Sequence, residues 1–423
     1  MLLLILTPLP YGSVEVWSMT LWEVWVFVTA VLWVILTIRD GEFRLEPNPL
    51  LLPMVALLVV AIVQLVPIGA GPRRTISLDP YLTLQATIKL FASVLFFALF
   101  STFVDTDERR QFAVKVILAM CILIALIGVG QNYVGRALWQ RGTFGPFVNR
   151  NHFAGFLEMG VGLASAAIVV RSVRVEMMAV YACGVLIMCA GLVLSASRGG
   201  VVSLAAEFGF LALIVLTARG DKGEGKSRVR GLVRAAGVVG LAAGTVVAAL
   251  LIVGSERLVA NFAQEQDTQT AELLNNERFS RRDIWGATIA MIRDHPVTGV
   301  GLGAFQVAYP RYDPSSGTQR VEQSHNDYLQ ILADAGIIGG AIAVAFVILL
   351  LLRGLRAAGA HDRHRRAIAL GALTGCFAIV VHSFVDFNLQ ITANAQMFLA
   401  LAALATPYRE KQRKGARARR RKE

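Results

Sequence analysis

Chemistry in this chain starts with its six histidines, because an imidazole changes charge near neutrality and can take a proton from a hydroxyl. His361 and His364 stand among arginines and read as solvated. His295 precedes Pro296 and reads as a turn residue. His152 follows Asn151 at a helix start, where capping accounts for it. His382 and Asp386 are four residues apart, so on one helix face they would form either a structural hydrogen bond or a proton relay. His325, in Ser324-His325-Asn326-Asp327-Tyr328-Leu329-Gln330, is the best general-base candidate, because it ends a long polar, arginine-bearing segment where an apolar block begins.

The elements that must hold these groups are membrane helices. The chain is 55% hydrophobic and 17% charged, with a mean hydropathy of +0.58, whereas a soluble domain carries about 25% charged residues. The apolar residues come in blocks near the ~20-residue length that spans hydrocarbon as a helix. They run over 17–38, 50–68, 83–104, 112–130, 153–170, 177–194, 201–216, 235–253, 337–352, 367–384 and 391–405. Residues 1–10 read as the back half of a further span and not as a signal peptide. The expectation is an all-α, polytopic membrane protein of about 12 transmembrane helices. Residues 1–254 would carry helices 1–9, 255–330 one long periplasmic loop, 331–406 helices 10–12, and 407–423 a basic cytoplasmic tail. The four cysteines fall in apolar blocks without metal-binding spacing and read as core residues.

Charge gives the expected orientation. Of the 41 Lys and Arg residues, 26 fall in one alternating set of loops, which includes 219–234 and the tail. By the positive-inside rule that set is cytoplasmic, as are both termini. The net charge of +12 is then mostly topological, and nucleic acid is not an expected partner. The opposite loops carry 13 arginines and no lysine; a guanidinium fork suits two-point binding of phosphate, although the chain favours Arg throughout.

Four polar clusters converge on that outer side. Arg141 to His152 includes Asn149 and Asn151. Ser195-Ala196-Ser197-Arg198-Gly199-Gly200 leaves Arg198 at the interface, where a cation needs a partner, lipid phosphate or a function. His382 and Asp386 close a later span. The long loop contributes an amphipathic helix over 279–292, with Ile284, Ala287 and Met291 on its apolar face and Arg281 turned towards membrane or core, away from Arg282, Asp283 and Arg293. The run Gly299-Val300-Gly301-Leu302-Gly303 follows no strand and reads as a tight turn that lets backbone approach membrane or ligand, not as a dinucleotide loop.

The set Arg141 to His152, Ser195 to Gly199, Arg281 with Trp285, His295-Pro296 to Phe305, and His325 to Gln330 resembles the O-antigen ligase and O-antigen polymerase superfamily of bacterial membrane glycosyltransferases. That resemblance implies a GT-C-like helical architecture in the bacterial inner membrane and transfer of a glycan, without metal or other cofactor. The donor would be an undecaprenyl-pyrophosphate-linked glycan, and the acceptor a hydroxyl on lipid A core or another saccharide. His325 looks like the family's catalytic histidine, and Arg198 and Arg281 like its pyrophosphate-binding arginines, with Arg282 the adjacent alternative. Arg141, Asn149, Asn151, Asn326, Tyr328, His382 and Asp386 are secondary candidates. A polymerase, a transporter and a non-catalytic assembly partner are the competing readings.

Overall fold

The computed structural model describes residues 1–41, 43, 45–68, 75–134, 144–217, 237, 240, 281–314 and 320–408, and it is all-α. In chain order these residues form α1 (Leu2–Leu6), α2 (Val16–Asp40), α3 (Leu51–Gln64), α4 (Pro80–Phe103), α5 (Asp107–Val134), α6 (Arg150–Val170) and α7 (Val175–Leu194). They continue with α8 (Arg198–Thr217), α9 (Arg281–Asp294), α10 (Phe305–Ala308), α11 (Asp327–Ala358), α12 (Arg363–His382) and α13 (Thr392–Ala405). Eight of these are long and apolar enough to cross a membrane, and α3 and α13 are shorter apolar helices. The block at 235–253 lies outside the described residues but for two glycines, and the start of the chain supplies only the five-residue α1.

Lipid offers the backbone no hydrogen-bond partner, so each apolar block folds as a helix that closes its own ladder. Side chains then fix the ends. Asp79 caps α4 by accepting from the amides of Tyr81 and Leu82, with Pro80 in the first turn. Asn149 caps α6, Asn326 caps α11 and Asp362 caps α12 in the same way.

Helix α6 is the axis of the bundle and is buried along nearly its whole length, whereas α2 lies largely exposed on the outside. Apolar side chains gain little from one another over lipid, so helices in a membrane associate where small residues admit close backbone contact. Gly162 of α6 shows this against α12: a Cβ there would sit 2.7 Å from the amide nitrogen of Gly375 and 2.8 Å from the carbonyl oxygen of Gly371. That crossing aligns the start of α6 with the end of the antiparallel α12.

The two ends of the bundle differ. At one, Arg365 grips Asp107 with Nη2 to Oδ2 at 2.7 Å and Nε to Oδ1 at 3.0 Å. Tyr408 donates to the same carboxylate, and the Arg110 guanidinium lies 4.3 Å from the Tyr408 ring centre. At the other end a second apolar cluster caps the bundle, built from Ile284, Met291, Val300, Phe305, Tyr309 and Ala333. It joins α9 and the loop after it to the first part of α11.

Helix α11 is broken at Gly336, whose φ of 61° and ψ of −162° no other residue adopts readily. A Cβ there would lie 2.2 Å from the Val297 carbonyl oxygen, so the loop from 295 to 303 seats itself on the break. Val300 and Gly301 donate backbone bonds to Ala333 and Asp334 at 2.9 and 3.0 Å. Gln64 at the end of α3 clamps the same loop, donating to Thr298 and Asp334 carbonyls and accepting from the Leu302 amide. The glycine run therefore brings backbone against α11 at Gly299, while Gly303 lines a cleft at this end of the bundle.

Candidate functional site

Asp386 is the centre of the polar cluster at the capped end. It lies in the turn after α12, is 1% exposed, and accepts a 2.8 Å bond from the Phe387 amide through Oδ1. Three cationic or titratable groups surround it from three different elements. His152 Nε2, from the first turn of α6, is 3.6 Å from Oδ1. Arg281 Nη2, from the first turn of α9, is 3.8 Å from Oδ2. His325 Nδ1, from the residue pair that precedes α11, is 3.9 Å from Oδ1. Both imidazoles stand edge-on to the Phe387 ring, with centroids 4.7 and 4.8 Å away.

Local geometry explains why His325 is held there. Its φ of 53° lies in the left-handed region, a conformation that histidine tolerates better than branched residues and that is kept only where neighbours enforce it. Here Trp285 Nε1 donates to the Ser324 carbonyl at 3.0 Å, the Ser324 amide donates to Gln330 Oε1 at 2.8 Å, and Ser324 Oγ donates to the Asn326 carbonyl at 2.7 Å. Trp285 thus ties the helix that carries Arg281 to the residue before His325, which gives the spacing of Arg281 and Trp285 a physical meaning.

Burial pushes the His325 pKa below its ordinary value of 6.5; the Asp386 charge opposes that shift, while Arg281 and His152 add to it. Burial alone would raise Asp386, but the nearby His152, His382 and Arg281 hold its carboxyl well below the usual carboxylate range. The site therefore pairs a neutral imidazole with a fixed carboxylate near neutrality.

Other candidates support this arrangement. Asn149 and Asn326 serve as helix caps, and Asn151 supplies the amide that Asn149 accepts. Tyr328 donates to the Val380 carbonyl at 2.6 Å and packs on Phe384. Asn326 Nδ2 donates to the Phe384 carbonyl at 2.9 Å, so α11 is stitched to the end of α12. Arg282 and Arg198 are exposed. Arg198 opens α8, and its neighbour Gly199 backs onto His382: a Cβ at Gly199 would lie 2.8 Å from His382 Nε2. Arg141 lies outside the described residues.

Two readings of the sequence change. His382 and Asp386 do not share a helix face, because α12 ends at His382. The His382 Nδ1 atom instead lies 3.1 Å from Glu158 Oε1, a carboxylate buried in the middle of α6 that also receives Ser203 Oγ. His152 is more than the residue after a cap: it is 4% exposed and faces Asp386. Neither His152 nor Glu158 stood out as a site residue, although an acid within an apolar span is itself a functional signal.

His152 and His325 open onto a cleft of about 770 Å³ that runs between the starts of α2 and α4. Glu23, Lys89, Asn149, Arg320 and Gln390 also line it.

Fold and site together define a multi-pass helical membrane protein that holds a histidine, a carboxylate and an arginine at one end of its bundle, beside an open cleft. Residues 183–344 match the family model described as O-Antigen ligase, which supports the resemblance to the O-antigen ligase and polymerase superfamily. The matched stretch holds Arg198, Arg281, Arg282 and His325; His152, Glu158, His382 and Asp386 lie outside it. No curated protein matches the chain.

Proposed function

We propose that this protein is an O-antigen ligase-like glycosyltransferase that moves a glycan from an undecaprenyl-pyrophosphate carrier to an acceptor hydroxyl, at the periplasmic face of the bacterial inner membrane. The observation that carries this reading is the convergence of His325 and Arg281 on Asp386 at the mouth of a cleft. The asymmetry of charge along the chain supports placing that end outside, with both termini and the Arg365 end in the cytoplasm.

In this mechanism Asp386 faces His325 Nδ1 and favours the tautomer with hydrogen there, so Nε2 keeps its lone pair for the acceptor. The acceptor oxygen attacks the anomeric carbon, its proton passes to His325 Nε2, and the bond from that carbon to the pyrophosphate oxygen breaks. Undecaprenyl pyrophosphate departs with the electron pair. Arg198 and Arg281, or Arg282 in place of the latter, stabilise that charge, and guanidinium forks at a half-desolvated interface do so more effectively than in water. These groups supply base and counter-charge without a metal. A growing chain as acceptor would make the same step a polymerisation.

The test is deletion of the gene followed by analysis of lipopolysaccharide and exopolysaccharide, then complementation with His325→Ala, Arg198→Ala and Arg281→Ala. Loss of glycan attachment in the deletion, restored by the wild type and by none of the three variants, is the expected result. Full attachment by all three variants would remove the transferase reading, and a transporter would show solute loss with attachment chemistry intact. A reporter fused after Arg320 should be active only outside the cytoplasm; activity inside would overturn the orientation.

A further inference from the structure

The cleft beside His325 holds an ionisable pair that the transfer mechanism does not use. Lys89 sits in the third turn of α4 and Glu23 in the third turn of α2, and both line the cleft with His152 and His325. Acids and ammonium groups inside spans are costly and persist where a partner or ligand repays the cost. Lys89 Nζ donates a 2.7 Å bond to the Gln390 carbonyl, which anchors it to the turn that carries Asp386 and Phe387. An ammonium has three donors and a carboxylate about four acceptor positions. Glu23 lines the same cleft as Lys89, so the two present donors and acceptors to the same space. Around it the lining adds the amides of Gln85, Asn149, Gln306 and Gln390 and the hydroxyl of Thr20.

Such a lining reads hydroxyl groups, and a volume of about 770 Å³ falls within the ~300–1,000 Å³ of small-ligand sites. Its far wall is α2, the least buried of the candidate spans among the described residues, so the saccharide would arrive on a lipid. His325 faces this space, whereas Arg281 and Arg198 are not among its lining residues. We propose that the cleft between α2 and α4 is the acceptor subsite, and that Glu23 and Lys89 select a lipid-linked saccharide by bonding its hydroxyls. This assignment rests on the transferase reading and adds which side of His325 the acceptor occupies.

Binding can be tested without turnover. Thr20 is exposed in the cleft, so Thr20→Cys in a Cys183→Ser background, reconstituted in nanodiscs, reports occupancy through its rate of maleimide labelling. Lipooligosaccharide lacking O-polysaccharide, an undecaprenyl-pyrophosphate-linked oligosaccharide and bare undecaprenyl pyrophosphate serve as separate probes. Slower labelling with one or both saccharide-bearing lipids, and not with the bare carrier, is the expected result, and which of them protects identifies the source. Glu23→Gln and Lys89→Met should each raise the concentration for half protection about tenfold, as loss of a charge-assisted hydrogen bond does; Lys89→Arg should restore it. In the transfer assay both variants should raise the acceptor KM and leave the donor KM unchanged. Equal protection by the bare carrier, or protection unaltered in Glu23→Gln and Lys89→Met, would overturn the subsite. A wild type that transfers no glycan but is protected by saccharide lipids would overturn the transferase reading alone.

Discussion

Replacing Asp386 by Asn tests how the cluster works, because the amide keeps the side chain's shape and an oxygen for the Phe387 amide while removing the charge. His325 Nδ1 is 3.9 Å from the carboxylate, a separation at which unit charges interact by ~4 kcal/mol at an effective dielectric near 20. Water and side chains rearranging around the neutral amide would return about half of that, which leaves a net loss of ~2 kcal/mol for a protonated His325. A transition state in which His325 gains positive charge should lose that amount, a fall of about 30-fold in kcat. The pH profile moves too. Asp386 raises the His325 pKa against the lowering effect of burial, so the variant's imidazole stays neutral to still lower pH. The acid limb of kcat/KM should therefore shift downwards. The assay is transfer from an undecaprenyl-pyrophosphate-linked glycan in nanodiscs, on protein shown to be monodisperse. Wild-type turnover, or an acid limb that moves upwards, would refute the reasoning.

Four further outcomes follow. His325→Ala should lower kcat by about 10²–10⁴-fold, the range of a lost general base, read in the same assay with donor binding retained. Arg281→Lys should not recover the activity lost in Arg281→Ala, because an ammonium lacks the two-point fork; full rescue would show that charge alone suffices. Gly336→Ala should lower the melting temperature strongly or abolish folding, since φ is 61° and the Val297 carbonyl occupies the Cβ position. Between pH 7 and 5 the wild type should lose more thermal stability than His325→Ala. A histidine whose folded pKa lies below 6.5 favours the unfolded state as pH falls from the ordinary value towards the folded one, and identical slopes would contradict its burial as a neutral group.

Much of the bundle was legible because lipid leaves an apolar block few choices: 17–38, 83–104, 153–170 and 177–194 became α2, α4, α6 and α7 with ends shifted by a few residues. The block at 337–352 also began at a real boundary, the break at Gly336, but α11 extends before it because Asn326 caps a polar half-helix that no hydropathy pattern marks. The candidates that the structure brings together stood in polar segments at span ends, as with Arg281, His325 and Asp386. Partnerships were not. The i, i+4 spacing of His382 and Asp386 suggested a shared helix face, yet Glu158, more than 200 residues away in sequence, holds His382. His152 had a sufficient local explanation as a residue behind a cap, and only the packing of α6 against α12 brings it to Asp386. The amphipathic helix kept Ile284, Ala287 and Met291 inside, as its periodicity required. Its Arg281 reaches Asp386 while remaining about half exposed.

The most direct test of the central claim is glycan transfer by purified protein in nanodiscs supplied with an undecaprenyl-pyrophosphate-linked glycan and a saccharide acceptor. Wild-type protein should yield glycosylated acceptor and free undecaprenyl pyrophosphate in equal amounts, and His325→Ala should yield neither above background. Equal product from both proteins would mean that the imidazole beside Asp386 is not where the glycan is transferred.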